Sequence, residues 1–549
     1  MRRFERDRKN YAGRGAHWVL GIGYCVARVV MAVVVAAGVA GCAAGVDRTS
    51  VPRVIFPTDD RTPTAHPPTP LPSPTFTPRP TPVADPVTEY RALWVDGSND
   101  GLKTPAQVSQ LIQDCQSISC NVLMVQMRIH ADALHLQSDE PRVDYIAPGF
   151  DPLTDVISKA HAISPPIDVY AWMNALPAWP VDADPPSDPR HVFNTHGPQA
   201  SVEDNWMALN EQGNLSGTGL TYLDPGHPAA AAHVADQVVS VVKNYAVDGV
   251  HLDFMRYGGL QWGYNPASVT RFNARYNKSG TPAPDDAQWS QWRRDQVTAL
   301  VRRIWLESTA ANPRIKVSAA LIPWGDAPAT DLEWQSSSAY SSVFQDWRAW
   351  LQEGILDIGF PMNYLPDSTL SANLDNWIEF ERSHRYNRHV VIGLGSYMNT
   401  LEESLSQIRR VRGRSTTGAR ADGMALYVYN QTDRDRLPFA QFTEATTLGL
   451  TPSPATPVFA PRAYLPSMPW KSIPTTGHLM GLVTTGDKPG DGATVTLTGA
   501  SRRTTTADGN GFYGFVDVTP GAYRITAGST TMTTTIRAGA VVTVNLRMQ

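Results

Sequence analysis

Cysteine is scarce in this chain, four in 549 residues, so neither a disulfide-rich scaffold nor a cysteine-built zinc module is expected. Excess charge of either sign is missing too. The formal net charge is −4, which leaves no basic footprint for nucleic acid. No glycine-rich phosphate loop and no His/Cys/Asp set at metal-ligand spacing occurs, so no nucleotide, redox cofactor or metal is expected. Long apolar runs are also lacking. The densest, Val29 to Gly41, follows Arg28 and falls short of the roughly twenty residues a spanning helix needs. What the chain does have is 42% hydrophobic residues, 15 Trp, 19 Tyr and 44 Pro. That is enough for a sizeable core, and the length calls for more than one domain.

The amino terminus pairs a basic region (Arg2, Arg3, Arg6, Arg8, Lys9, Arg14) with the short apolar stretch, which is the pattern of an export signal. It ends Val39-Ala40-Gly41-Cys42, which resembles a bacterial lipoprotein box. That resemblance makes Cys42 the lipidated first residue of an exported, membrane-anchored protein; an ordinary signal peptide with a fortuitous Cys is the alternative. Residues 1–41 are then the signal, and 42–88 a Pro/Thr-rich tether of extended character. Residues 89–450 form the main body, 451–476 a second Pro-rich linker, and 477–549 a tail. Cys115 and Cys120 flank a helix-to-strand turn, where a small disulfide and two buried thiols both remain open.

Within the main body eight short apolar runs alternate with helical patterns. The runs are Arg91–Asp96, Asn121–Arg128, Ile167–Ala175, Asp248–Met255, Lys316–Trp324, Leu356–Tyr364, His389–Ser396 and Gly423–Asn430. Eight repeats over this length predict an α/β fold, a (β/α)8 TIM barrel, with a doubly wound open sheet as runner-up. The tail has strand-like runs separated by Asp508-Gly509 and Pro520-Gly521 turns, which predicts a small all-β sandwich.

The most telling run is Val247 to Tyr257. Strand alternation sends Val250, Leu252 and Phe254 outward and Gly249, His251 and Asp253 into the barrel. Asp253 then stands at the carboxyl end of its strand, where barrels of this kind keep their chemistry. A turn-capping acid is the plainer alternative. Other inward positions become polar or aromatic toward the same end: Trp94, Asp96, Gln126, Arg128, Tyr170, Trp172, Asn174 and, near Asn363, Tyr364. The long connection from Leu176 to about His227 carries Trp179, Trp206 and Tyr222 and reads as a wall or lid.

A series of motifs in fixed order extends this reading: Tyr90-Arg91-Ala92-Leu93-Trp94-Val95, Asn121 through Arg128, Asp132-Ala133-Leu134, Glu140-Pro141, Phe150-Asp151-Pro152-Leu153, Ala171-Trp172-Met173-Asn174, Tyr222 through Pro228, and Asp248 through Asp253. Together they resemble the glycosyl hydrolase-like 10 family of bacterial exported proteins, over roughly Glu89 to Leu448. The chain departs from the pattern at Gly258, where members often have proline. It departs again at Phe254, where some relatives carry a second acid. The tail resembles a carboxypeptidase regulatory-like domain through Thr506 to Tyr513 and Pro520 to Tyr523, a fold module that implies no peptidase activity.

The family resemblance implies cleavage of glycosidic bonds in a polysaccharide, with cell-wall glycan strands a substrate proposed for relatives. Such hydrolysis generally uses two carboxyl groups. Asp253 is the first; Glu140, then Asp132, then Asp224 rank for the second, Asp224 equally serving as a helix cap. Arg128 and Arg256 would orient Asp253 or hold an acidic group, or else form structural ion pairs. Trp172 and Tyr364 suit stacking on sugar faces, and Asn174, His251 and Tyr257 suit contacts to hydroxyls, unless they serve packing alone. The alternative from another class is a non-catalytic glycan-binding surface protein on the same barrel. Oligomeric state and the sugar itself are not written in the chain.

Overall fold

The computed structural model describes residues 87–215, 219–449, 457–459 and 462–549. The stretch expected to be an export signal, Cys42 and nearly all of the expected first tether lie outside them. Eight parallel strands close into a barrel. In chain order they are β1 (Tyr90–Val95), β2 (Val122–Arg128), β3 (Asp168–Asn174), β4 (Gly249–Asp253), β5 (Lys316–Leu321), β6 (Ile358–Asn363), β7 (His389–Gly395) and β8 (Gly423–Tyr427). Each is followed by a helix on the outside: α1 (Pro105–Ser117), α2 (Pro152–His161), α3 (Pro228–Asn244), α4 (Ala287–Ala311), α5 (Trp347–Glu353), α6 (Asp367–Ser383), α7 (Leu401–Val411) and α8 (Phe439–Thr447). Closure requires β8 to pair with β1, and it does, Gly423 opposite Tyr90 and Leu426 opposite Leu93.

Alternation sets the two faces. Val250 and Leu252 join the apolar layer under the helices, while Trp94, Tyr170, Trp172 and Phe360 fill the barrel interior. Gly249 makes room for this filling, since a side chain there would meet the Tyr170 ring at 2.8 Å. In the middle of the barrel His251 is fully enclosed. The Trp94 indole N–H donates to its Nε2 at 3.1 Å, so its Nδ1 carries the proton and faces Ser318 Oγ at 3.1 Å. Burial drops its pKa to about 3, so it stays neutral. A disulfide joins Cys115 to Cys120, tying the end of α1 to the start of β2.

The described part of the second Pro-rich stretch is no free spacer. Ala463–Tyr464 pairs in parallel with Val87–Thr88, and Met468 and Trp470 close the amino-terminal end of the barrel. Beyond it the tail forms two sheets. One is built on β9 (Gly477–Thr485) and β11 (Phe512–Val518); the other contains β10 (Thr494–Thr498), β12 (Gly521–Ala527) and β13 (Thr530–Ile536). Their facing sides share a core that includes Leu479, Val495, Tyr513 and Ile525. Among the described residues no helix is long and apolar enough to cross a membrane.

Candidate active site

β4 ends at Asp253, and Phe254 turns the chain away with φ +51°. The Asp253 carboxyl therefore sits at the carboxyl-end mouth, beside Asn174, its register partner on β3. It is only 6% exposed, and its Oδ1 accepts from the Phe254 N–H at 2.6 Å. Burial raises its pKa; Arg256, the Phe254 N–H and the Trp172 indole pull the other way without cancelling the rise. A carboxyl so placed holds a proton more readily than one in water.

Aromatic rings surround it. Tyr364 stacks on Tyr427 at 5.0 Å, and both phenols lie within the field of Asp253. Trp172 meets Tyr427 edge-on at 6.4 Å. Tyr222, from the long connection, lies within the fields of Asp253 and Arg256. The Arg256 guanidinium lies over Phe254 at 4.6 Å and over the partly exposed Trp324 at 5.2 Å. A buried donor at this mouth, Arg256 Nε, has no close hydrogen-bond partner. Groups of that kind await an acceptor oxygen.

The long connection does build a wall. Pro177–Pro180 pairs with Leu220–Tyr222, Trp179 packs on His191 at 5.1 Å, and His196 stacks on Trp206 at 3.5 Å. Asp132 lies toward this side, its Oδ1 accepting from the His130 N–H at 3.0 Å. Burial raises its pKa.

Several residues read as site groups do other work. Glu140 is clamped: Arg128 Nε and Nη2 donate to its two oxygens at 2.7 and 2.6 Å, and His233 Nε2 lies 2.8 Å away. Burial alone would raise its pKa, but Arg128 and His233 overwhelm that and hold it near 2. A carboxyl in that state has no proton to donate at neutral pH. Arg128 is fully buried and also bonds to the Asn174 and Ala175 carbonyls, so it ties strand ends together instead of meeting substrate. Asp224 is wholly enclosed. It accepts from the Gly226 N–H at 2.8 Å and the Tyr257 hydroxyl at 3.0 Å, and burial lifts its pKa to about 6. The cap of α3 is His227, not Asp224. Tyr257, committed to Asp224, and His251, enclosed in mid-barrel, are likewise out of substrate's reach.

One acid gains standing from the structure. Asp96 leaves the end of β1, half-exposed, with its Oδ1 accepting from the Ser98 N–H at 2.7 Å. The Tyr427 phenol feels both Asp96 and Asp253, so the two acids flank one ring at the mouth. Tyr427 itself escaped the sequence reading, although Gly423, Ala425 and Tyr427 show the same alternation that singled out Asp253. Among the described residues no cluster suited to a metal ion occurs.

Residues 89–409 match the model of a family described as glycosyl hydrolase-like 10. The glycosyl hydrolase YngK of Bacillus subtilis (strain 168) is 24% identical over 421 residues, 70% of this chain and 74% of that protein. The glycosyl hydrolase DigH of Escherichia coli (strain K12) is 27% identical over 308 residues, 52% of this chain and 66% of that protein. Among solved structures, the glycoside hydrolase domain of PgaB (BpsB) from Bordetella bronchiseptica aligns with 67% of this chain and 100% of its own, at 13% identity and a TM-score of 0.45.

Proposed function

The chain belongs to the glycosyl hydrolase-like 10 family, and from that premise we propose that it is an exported, lipid-anchored glycoside hydrolase that cleaves a polysaccharide at the barrel mouth. The single observation that carries the reading is Asp253: a carboxyl with raised pKa, ringed by Trp172, Tyr222, Tyr364 and Tyr427, at the catalytic end of the barrel. Asp253 gives its proton to the leaving glycosidic oxygen. The second carboxyl is Asp96 in place of Glu140, because Asp96 is open to water and free of any clamping cation among its described contacts. The rings supply flat apolar faces for sugars, and Arg256, stacked over Phe254, braces the turn that follows Asp253. Cell-wall glycan strands are the substrate class this proposal places first. The leader with Cys42 and the Pro/Thr tether would keep the barrel at the membrane's outer side, and the tail would be a carboxypeptidase regulatory-like module without peptidase chemistry.

The test is release of reducing ends from purified cell-wall glycan, chitin and plant polysaccharides. Asp253→Asn should cut the rate by about 10²–10⁴, the usual worth of a general acid, with an unchanged melting temperature. Asp96→Asn should do the same. Full activity in Asp253→Asn would exclude it as the acid. A wild-type protein that binds these glycans without releasing ends would make the barrel a glycan-binding module instead.

A further inference from the structure

Beside the mouth, between the loops that follow β1 and β8, lies a cavity of about 280 Å³. Its walls are not those of the catalytic pocket. Tyr429 and Phe439 form the apolar side, ring centroids 5.6 Å apart. Asp100, Gln110, Asn430 and Thr432 supply the polar rim. The cavity is built from held parts. The Tyr429 hydroxyl donates to Asp114 at 2.7 Å, its N–H donates to the Trp94 carbonyl at 3.0 Å, and Asp433 anchors the following loop through the Asp435 and Leu437 N–H groups. Gln107 in turn fixes the opposite loop, donating to Asp100 at 3.0 Å and accepting from the Lys103 N–H at 2.9 Å.

The lining chemistry narrows the ligand. No Lys or Arg lines the cavity, and Lys103 at its edge is paired with Asp100 at 3.8 Å, so it favours neither a phosphate nor a carboxylate. Aromatic faces below, with a carboxylate, two amides and a hydroxyl above, match a neutral sugar, which has a flat apolar side and a rim of hydroxyls. The volume lies near the lower end of small-ligand sites and fits one sugar unit or two, not a long chain. Its position adds a second constraint. The loops that bound it follow the carboxyl ends of β1 and β8, so the cavity opens on the same face of the barrel as Asp253.

We propose that this cavity is a distal subsite that takes a neutral sugar unit of the glycan whose linkage lies over Asp253. The proposal rests on the hydrolase reading for the direction of the chain, not for the chemistry of the cavity. It makes affinity depend on chain length.

The experiment is calorimetric titration of the full chain carrying Asp253→Asn, which keeps the ligand uncut, with N-acetylglucosamine oligomers of two, four and six units. The expected result is an affinity that rises about tenfold from the shortest to the longest oligomer, the worth of one stacked, hydrogen-bonded unit. Adding Asp100→Ala and Asn430→Ala, both at exposed positions, should erase that rise and leave the shortest oligomer unaffected. Each is also made singly, with melting curves to establish folding. A rise that survives both substitutions, no rise with length, or no binding of any oligomer would each overturn the subsite. Because the readout is binding, it is separable from the hydrolase proposal. A wild-type chain that cuts nothing yet shows the length dependence would sink the hydrolysis and leave the subsite standing.

Discussion

Glu140 and Asp253 are both buried carboxyls near one barrel mouth, and their neighbours send them to opposite protonation states. Burial raises both, but only Glu140 has a bidentate guanidinium and an imidazole to reverse it. Removing one side of a buried ion pair strands the other, so Glu140→Gln should destabilise the fold by about 3 kcal/mol, measured by urea unfolding at pH 7. The sign of its pH dependence follows from a folded pKa near 2, below the ordinary value of 4.5. The stabilisation is present above pH 4.5 and disappears as pH falls toward 2. The gap between wild type and Glu140→Gln should therefore close over that window. Hydrolysis in the variant should survive once it is folded; its loss in a fully folded variant would return Glu140 to the chemistry. This division of labour was only half legible in the chain. Alternation by twos identified Asp253 as a strand-end, inward acid, because that needs only local periodicity. The fate of Glu140 depends on Arg128, twelve positions back, and on His233 from α3, and no local pattern brings the three together.

At the level of elements the barrel strands were legible almost throughout, since each is a short apolar run bounded by turns. The helices were less so. Before β6 the helical pattern is interrupted: Ser338–Ser342 forms a wider turn and Phe344 adopts φ +58°, so α5 starts only at Trp347. The last helix, α8, went unread: it is nine residues, rich in Thr, and starts after Pro438 with no capping side chain. The largest miss is the strap beneath the barrel. Prolines suggested a spacer, whereas Trp470 Nε1 donates to Asp357 at 2.8 Å and Lys471 Nζ lies 3.2 Å from the same carboxylate, which is fully buried. Lys471→Ala should leave the buried Asp357 carboxyl short of a partner, at a cost of about 3 kcal/mol in chemical unfolding. A loss below about 1 kcal/mol, the range of an exposed pair, would mean the strap is only loosely attached.

Across the whole molecule the decisive strand is β11. Its sequence Phe512-Tyr513-Gly514-Phe515-Val516 is apolar on both faces, unlike the alternating β10 and β12. Tyr513 and Phe515 enter the sandwich core, while Phe512 and Val516 join the outer core of the barrel. Gly514 lies against α4 so closely that a side chain would meet Leu306 at 2.1 Å. Around this contact Arg271 clasps Asp491 at 2.7 and 2.8 Å, Arg388 reaches Asp517 at 2.5 Å, and Trp305 meets the His478 ring at 4.8 Å. Domains joined by a small polar contact move independently; a shared apolar core couples them. Scanning calorimetry of the full chain should therefore show one unfolding transition for barrel and sandwich together. Val516→Asp places a carboxylate in that apolar core, where burial shuts it off from water. It should lower the transition temperature and split it in two, the sandwich parting from the barrel before either melts. Two transitions already present in the wild type would mean that the contact, however apolar, is too weak to couple the halves.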